Sequence, residues 1–274
     1  MKLSIILVNY NRRDLLSQAL SSLVNAAAGV EHEIFVVDNA SIDFSVPMIE
    51  GRYPQVKLIQ NQKNVGFSKA NNQALKLASG EYVLLINPDT ITNDDTLIKT
   101  LGFMDEHPQA GGLGVRMINS QGQFLPESKR GIPTPWIAFF RMSGLYKLFP
   151  KSRMYNRYHA DWVEEFETAE VDVLSAAFML IRKTVLDKVG LLDERFFMYG
   201  EDIDLSYRIR LSGFKNYYYS KTYIIHFKGH STKKLSWTYL TSFYGAMFIF
   251  AAKYLFRSSA PQAKNIQHQY PPSI

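Results

Sequence analysis

The chain has 274 residues, 46% hydrophobic and 20% charged, which places it among globular proteins and excludes a disordered one. A net charge of +6 points to an anionic partner such as nucleic acid, a nucleotide-linked substrate or an acidic membrane surface. No basic run interleaved with aromatics resembles a nucleic-acid module, and the lack of cysteine excludes disulfides, a thiolate nucleophile and a cysteine-based zinc site.

The opening apolar stretch, Met1 to Val8, is too short for a signal peptide and reads as a first strand, Leu3 to Val8, ending in Asn9-Tyr10-Asn11. Arg12 to Val24 places Leu15, Leu16, Leu20 and Leu23 at helical spacing. Glu33 to Asp38 is a second strand, followed by Asn39. Lys57 to Ile59 is a short third strand, with Asn61 and Asn64 behind it. Asn71 to Ser79 reads as a helix closed by Gly80. Tyr82 to Ile86 is an unbroken apolar run, the signature of a strand buried on both faces. Pro88 ends it and leaves Asp89 just past its carboxyl end, where open α/β sheets bind ligands. A carboxylate there suits a hard cation or a cap for a helix starting near Asn93. The alternation of strand and helix predicts an α/β fold with a mixed, mostly parallel central sheet flanked by helices.

Asn9, Asp38, Asn39 and Asp89 each follow a buried run, and right-handed crossovers would gather those strand ends into one polar site. No Gly-x-Gly-x-x-Gly follows the first strand and no Walker-type loop occurs, which argues against a dinucleotide oxidoreductase or a P-loop kinase. Gly111 to Ile118 reads as a strand before a turn at Asn119 to Gly122. Arg130 to Trp162, rich in proline, aromatic and basic residues, reads as a substrate-facing excursion or as a pair of surface helices around Trp136 to Phe149. Val171 to Arg182 reads as one strand whose central Ser175, Ala176 and Ala177 either admit a ligand or pack tightly. Lys183 to Val189 is a short helix ended by Gly190.

Past the aromatic run Phe196 to Tyr199, Glu201 and Asp202 open a helix that continues through Asp204, Arg208 and Leu211 and stops at Gly213. Carboxylates in a first turn suit the helix dipole, and aromatic neighbours suit a catalytic base. Tyr217-Tyr-Tyr leads to Ile224, and a strand ending at His226 would add a metal-capable imidazole to the polar edge, with His230 in the loop beyond. Trp237 to Phe256 is an apolar, aromatic helix whose only charge is Lys253. It reads as a core or dimer helix, as a membrane-interface helix beside Lys233, Lys234 and Arg257, or as a span.

Taken in order, the motifs are Val8-Asn-Tyr-Asn, Val37-Asp38-Asn39-Ala-Ser, Asn64-Val-Gly-Phe67, Asn87-Pro-Asp89, Phe178-Met-Leu-Ile-Arg182, Gly200-Glu-Asp-Ile-Asp-Leu and His226-x-x-Gly-x-Ser231. From Leu3 to about Arg257 this series resembles the family 2 glycosyltransferases of the GT-A fold, bacterial rhamnosyltransferases in particular. The resemblance implies one GT-A domain over residues 1–232, with a nucleotide-binding half at 1–110 and an acceptor-binding half at 111–232. A C-terminal helical extension and tail would follow over 233–274.

The same resemblance implies that Asn9, Tyr10, Asn11, Asp38, Asn39, Asn64, Phe67, Asn71 and Asn87 bind the nucleotide sugar, with Asp38 at the base and Asn87 near the ribose. Asp89, joined by His226, would hold Mg²⁺ or Mn²⁺ against the donor diphosphate. Asn87 stands where many relatives carry aspartate, which leaves one metal-binding carboxylate. Asp202, with Glu201 beside it, would be the catalytic general base of an inverting displacement.

The expected partners are a nucleotide-diphosphate sugar (dTDP-rhamnose, with UDP sugars left open), a glycan or lipid-linked acceptor, and an anionic membrane surface. The expected location is cytoplasmic, peripheral on the inner face of the cell membrane. A catalytically silent, sugar-nucleotide-binding scaffold of a glycan assembly complex is one alternative; it would have no need of Asp89, Asp202 and His226 together. A sugar-phosphate nucleotidyltransferase is another, but it should carry a glycine-rich basic loop where this chain has Asn9-Tyr-Asn-Arg-Arg.

Overall fold

The computed structural model describes residues 1–131, 160, 163–227 and 237–254, and the backbone alone for 237–243. Strand β1 (Leu3–Asn9) is buried along its whole length because helices cover both of its faces. Leu3, Ile5 and Leu7 point into one core, shared with Leu16, Ala19, Leu20 and Leu23 of α1 (Arg13–Ala26). Ile6 and Val8 point into a second core, shared with Ala70 and Ala74 of α3 (Phe67–Leu75). The two-residue period of the strand thus meets the apolar stripe of a helix on either side.

Strand β2 (His32–Asp38), helix α2 (Ser45–Arg52), β3 (Lys57–Gln60) and β4 (Tyr82–Ile86) complete a parallel array ordered β3-β2-β1-β4. Its carboxyl ends lie level, with Asn9 opposite Asp38. The chain continues through β5 (Thr90–Thr92), α4 (Thr96–Glu106), β6 (Ala110–Ile118), β7 (Ala169–Val171) and β8 (Phe178–Arg182). Then come α5 (Lys183–Val189), α6 (Glu201–Leu211), β9 (Lys215–His226) and α7 (Trp237–Tyr254). Beyond β4 the sheet runs β8-β6-β9-β5, with β7 also on β9. β8 is antiparallel to both β4 and β6, while β6 and β9 are parallel. The result is the mixed α/β sheet flanked by helices that the sequence predicts.

Four local expectations are corrected. Val171 to Arg182 is two strands with a connection at 172–177, because that backbone has partners outside the ladder. Val173 N donates to Arg130 O (2.9 Å), Asn216 Nδ2 to Asp172 O (3.0 Å) and Phe178 N to Ser175 O (3.1 Å). Ser175, Ala176 and Ala177 therefore sit in this connection, not at a strand centre.

Helix α3 begins at Phe67 rather than Asn71, because Gly66 (φ 87°) turns the chain and Phe67 N donates to Phe197 O (2.7 Å). Gly80 is not that helix's cap: a Cβ there would lie 2.5 Å from Ser4 N, so glycine is needed for close approach to β1. Nor does Asp89 cap a helix, since α4 starts at Thr96 and Asp89 is followed directly by β5.

Helix α2 and strand β5 carry no strong periodicity and have no counterpart among the elements expected from the sequence. The excursion at 130–162, apart from Arg130, Gly131 and Ala160, lies outside the described residues. So do His230, Lys233, Lys234, Arg257 and the tail.

Candidate active site

Parallel strands deliver their last residues to one edge, where the backbone leaves the sheet and side chains must satisfy it. Asn39 N donates to Asn9 O (2.8 Å), and Asn9 Nδ2 donates to Asp38 Oδ2 (2.9 Å) and Ser41 Oγ (3.1 Å). Ser41 N donates to Asp38 Oδ1 (2.8 Å), and Asn11 N to Ser41 Oγ (2.9 Å). Asn11 takes the left-handed conformation (φ 52°), which aims its Oδ1 at Ile42 N (2.8 Å). Asn39 Nδ2 donates to Asn64 Oδ1 (3.3 Å), which also accepts from Gly66 N (3.0 Å). The amide-and-carboxylate edge is thus one connected network before any ligand arrives.

That network reaches Phe67, the first residue of α3, through Gly66. The remaining expected contacts are less joined: Tyr10 is exposed, and Asn71 donates within its own helix to Phe67 O (2.9 Å). Three partners stand outside the expected site residues. Ser41 and Asn61 complete the network, the latter donating to Asn39 Oδ1 (2.9 Å). Asn72 binds both backbone atoms of Leu192, donating to its O (2.8 Å) and accepting from its N (3.1 Å).

Pro88 sends the chain out of β4, and Thr90 Oγ1 closes the bend by donating to Asn87 O (2.8 Å). β5 then pairs with the end of β9, Thr90 opposite His226, and Phe227 N donates to Asp89 O (2.9 Å). This antiparallel pairing fixes Asp89, 2% exposed, beside His226, with Oδ1 3.3 Å from Nε2. A hard carboxylate and an imidazole at that separation fit a divalent ion whose shell is completed by diphosphate oxygens and water. Among the described residues, His226 Nδ1 is buried without a hydrogen-bond partner. Among the described residues no cluster of three or more His, Asp or Glu side chains could hold a metal by itself.

The third component is the start of α6. Tyr199 (φ 72°) and Gly200 (φ 84°) are consecutive left-handed residues, and they turn Glu201 and Asp202 inward. Glu201 is 6% exposed and its Oε2 has no hydrogen-bond partner among the described residues. Burial, and next the charge of Asp202, push its carboxyl well above the ordinary range and favour the protonated form. Asp202 is ion-paired with Arg130, whose Nη2 also donates to Leu174 O (2.8 Å), and its Oδ1 accepts from Ile203 N (2.8 Å). Of the two acids, Asp202 is therefore the one held in an ion pair. Arg130 lay unmarked in a basic loop, 72 positions from its partner.

Backbone contacts link the segments that carry these components. Phe197 O holds the start of α3 beside the amide network, and Asn87 N donates to Ala177 O (3.3 Å) in the connection whose Leu174 meets Arg130.

Residues 4–190 match the family model described as Glycosyl transferase family 2. Among curated relatives, the N-acetylglucosaminyl-diphospho-decaprenol L-rhamnosyltransferase of Mycobacterium tuberculosis is 28% identical over 91% of this chain and 84% of its own. Rhamnosyltransferase WbbL of Escherichia coli is 26% identical over 92% of this chain and 90% of its own. Among solved structures, the mannosyltransferase PcManGT of Pyrobaculum calidifontis, in complex with GDP-Man and Mn²⁺, superposes with a TM-score of 0.65. That likeness covers 97% of this chain and 68% of the other at 17% identity, and it speaks to the fold. With the fold, the polar strand edge and the family model in agreement, the chain belongs to glycosyl transferase family 2 and has the GT-A fold.

Proposed function

We propose that this glycosyltransferase is metal-dependent and inverting, and transfers L-rhamnose from a nucleotide-diphosphate donor to a hydroxyl of a lipid-linked or cell-surface glycan. The observation that carries this reading is the set of three polar groups that the fold builds: the Asn9-Asp38-Asn39-Asn64 network, the Asp89–His226 pair and the Asp202–Arg130 pair. The near full-length relatives named as rhamnosyltransferases support the sugar.

In this reading residues 1–110 bind the nucleotide and 111–232 the acceptor. Asp38 accepts hydrogen bonds from the base, and Asn9, Asn11, Asn39, Asn64 and Asn87 line the pocket. Asp89 and His226 would hold Mg²⁺ or Mn²⁺, which when bound offsets the negative charge on the departing diphosphate. Asp202 accepts the acceptor's hydroxyl proton while that oxygen bonds to the anomeric carbon. The bond from that carbon to the diphosphate oxygen breaks in the same step, so the nucleoside diphosphate leaves and the configuration inverts. No covalent sugar–enzyme bond forms. Protonated Glu201 is poised to donate a hydrogen bond rather than to compete as a base.

Helix α7 leaves Tyr244, Met247 and Phe248 exposed by 60, 44 and 71%, three apolar side chains at helical spacing on one side. Among the described residues no helix is long and apolar enough to cross a membrane. This apolar stripe and the net charge of +6 support peripheral attachment to an anionic membrane, where a lipid-linked acceptor resides.

The test is a panel of dTDP-, UDP- and GDP-linked sugars with polyprenyl-diphosphate-sugar acceptors, scoring nucleoside diphosphate release and product anomer by NMR. Acceptor-dependent turnover of dTDP-rhamnose with inversion is expected. Tight donor binding with no turnover on any acceptor would favour the silent scaffold instead.

A further inference from the structure

Asp204 sits two residues beyond Asp202 on α6 and is fully buried. Its Oδ2 accepts from Arg208 Nε (2.8 Å); its Oδ1 accepts from Lys253 Nζ (2.7 Å) and Tyr254 Oη (2.6 Å). Two of these three donors come from the last turn of α7, about fifty positions away. Lys253 Nζ also donates to Asp193 Oδ2 (2.8 Å), in the loop that leads to Phe197. Arg195 first, and Lys253 next after the opposing effect of burial, hold the Asp193 carboxyl below its usual range.

Arg208 extends the same cluster by donating to the carbonyls of Val189 (2.7 Å), Gly190 (2.9 Å) and Leu191 (2.8 Å). Further up α7, a Cβ added at Gly200 would lie 3.1 Å from Ala246 Cβ, so that helix also abuts the turn that introduces Glu201. One ammonium group therefore ties the acid-bearing helix to the loop that contacts the donor half.

None of these groups has a part in the proposed transfer step. Buried ion clusters are a poor source of net stability, because desolvation offsets the attraction. They do fix geometry, since every donor must meet its acceptor in one arrangement. We propose that Lys253 is a positioning residue for proton abstraction: through Asp204 and Asp193 it sets where α6 presents Asp202 to the acceptor hydroxyl. This rests on the reading of Asp202 as the base. It makes α7 part of the catalytic apparatus rather than an appendage.

The test is a double-mutant cycle on the full chain, using Lys253→Met, Lys253→Arg and Asp202→Asn, with kcat, donor KM and melting temperature measured for each. Lys253→Met keeps most of the side chain's bulk and removes the charge. It should lower kcat by roughly 10- to 100-fold with donor KM unchanged, since small misplacements of reacting groups cost that much. Lys253→Arg should restore most of the rate. In the Asp202→Asn background, Lys253→Met should cost nothing further.

An unchanged kcat in folded Lys253→Met protein, or the same loss in both backgrounds, overturns the proposal. Should Lys253→Met fail to fold, Tyr254→Phe removes one donor to Asp204 and keeps the ring; its smaller kcat loss must likewise vanish in the Asp202→Asn background. If Asp202→Asn itself turns over normally, it is the assignment of the base that has failed.

Discussion

Asp202→Asn exchanges the proposed proton acceptor for a group of the same shape with almost no proton affinity. Removing a general base costs about 10²–10⁴ in rate, or roughly 3–5 kcal/mol of barrier. The structure says what else changes. Oδ1 accepts from Ile203 N, a bond the Asn amide oxygen can keep. Oδ2 faces Arg130, and an amide nitrogen there would set donor against donor. Breaking a fully buried pair costs about 3–5 kcal/mol. Here the two side chains retain 12 and 14% exposure, and Arg130 keeps Leu174 O, so about 1–3 kcal/mol is expected.

At about 2–4 °C per kcal/mol, the melting temperature should fall by several degrees and leave the protein folded at the assay temperature. Donor-saturated turnover should drop at least 100-fold, while donor affinity by calorimetry stays within about threefold, because the base faces the acceptor. Turnover within tenfold of wild type in protein that binds donor normally would refute the assignment. Lost donor binding that accounts for all of the lost turnover would refute it too.

Asp89→Ala should abolish activity and the response to Mg²⁺ or Mn²⁺ in protein that still folds, because the backbone bond from Phe227 N to Asp89 O survives the substitution. Undiminished wild-type turnover in excess chelator would contradict it. Glu201→Gln should flatten the dependence of stability on pH. With its folded pKa raised, Glu201 contributes stability that is complete below its ordinary pKa of about 4.3 and is lost as pH rises through the raised value. Wild type should weaken relative to the variant across that window, and parallel melting curves from about pH 4 to about pH 9 would rule the effect out. The intact protein should float with anionic liposomes at low salt and dissociate in high salt, and Phe248→Glu should weaken the binding; failure to float at low salt would dismiss the membrane contact.

Features set by neighbouring residues were legible in the chain alone. The helix Lys183–Val189 with Gly190 (φ 84°) behind it, and Glu201–Leu211 with Gly213 (φ 92°) behind it, fall where helix formers meet glycine. The polar strand ends were legible because Asn9, Asp38 and Asp89 each close an apolar run that needs both faces covered. Features set by distant partners were not. The break at Asp172 to Ala177 depends on Arg130 and Asn216, and the start of α3 on Phe197 O. Arg130 carries no local sign of pairing with Asp202, and Lys253 read as a lone charge in an apolar helix until Asp193 and Asp204 surrounded it.

The central strand has a history as well as a place. β4 lies between β1 and β8, yet β8 follows it by about ninety residues. A ribosome adding roughly 5–20 residues per second needs about 5–20 s to supply that stretch. Through that interval the parallel array can form only with Tyr82 to Ile86 as an open edge, uncharged and fully apolar, the kind of edge that pairs with other chains. The emerging protein should thus depend on shielding until Phe178 to Arg182 arrives. Ribosome-held chains stopped near residue 120 should be protease-sensitive and prone to associate, and those carrying the chain past β9 should not. Equal resistance in both would mean the open edge is tolerated, and synthesis of this enzyme would need no such protection.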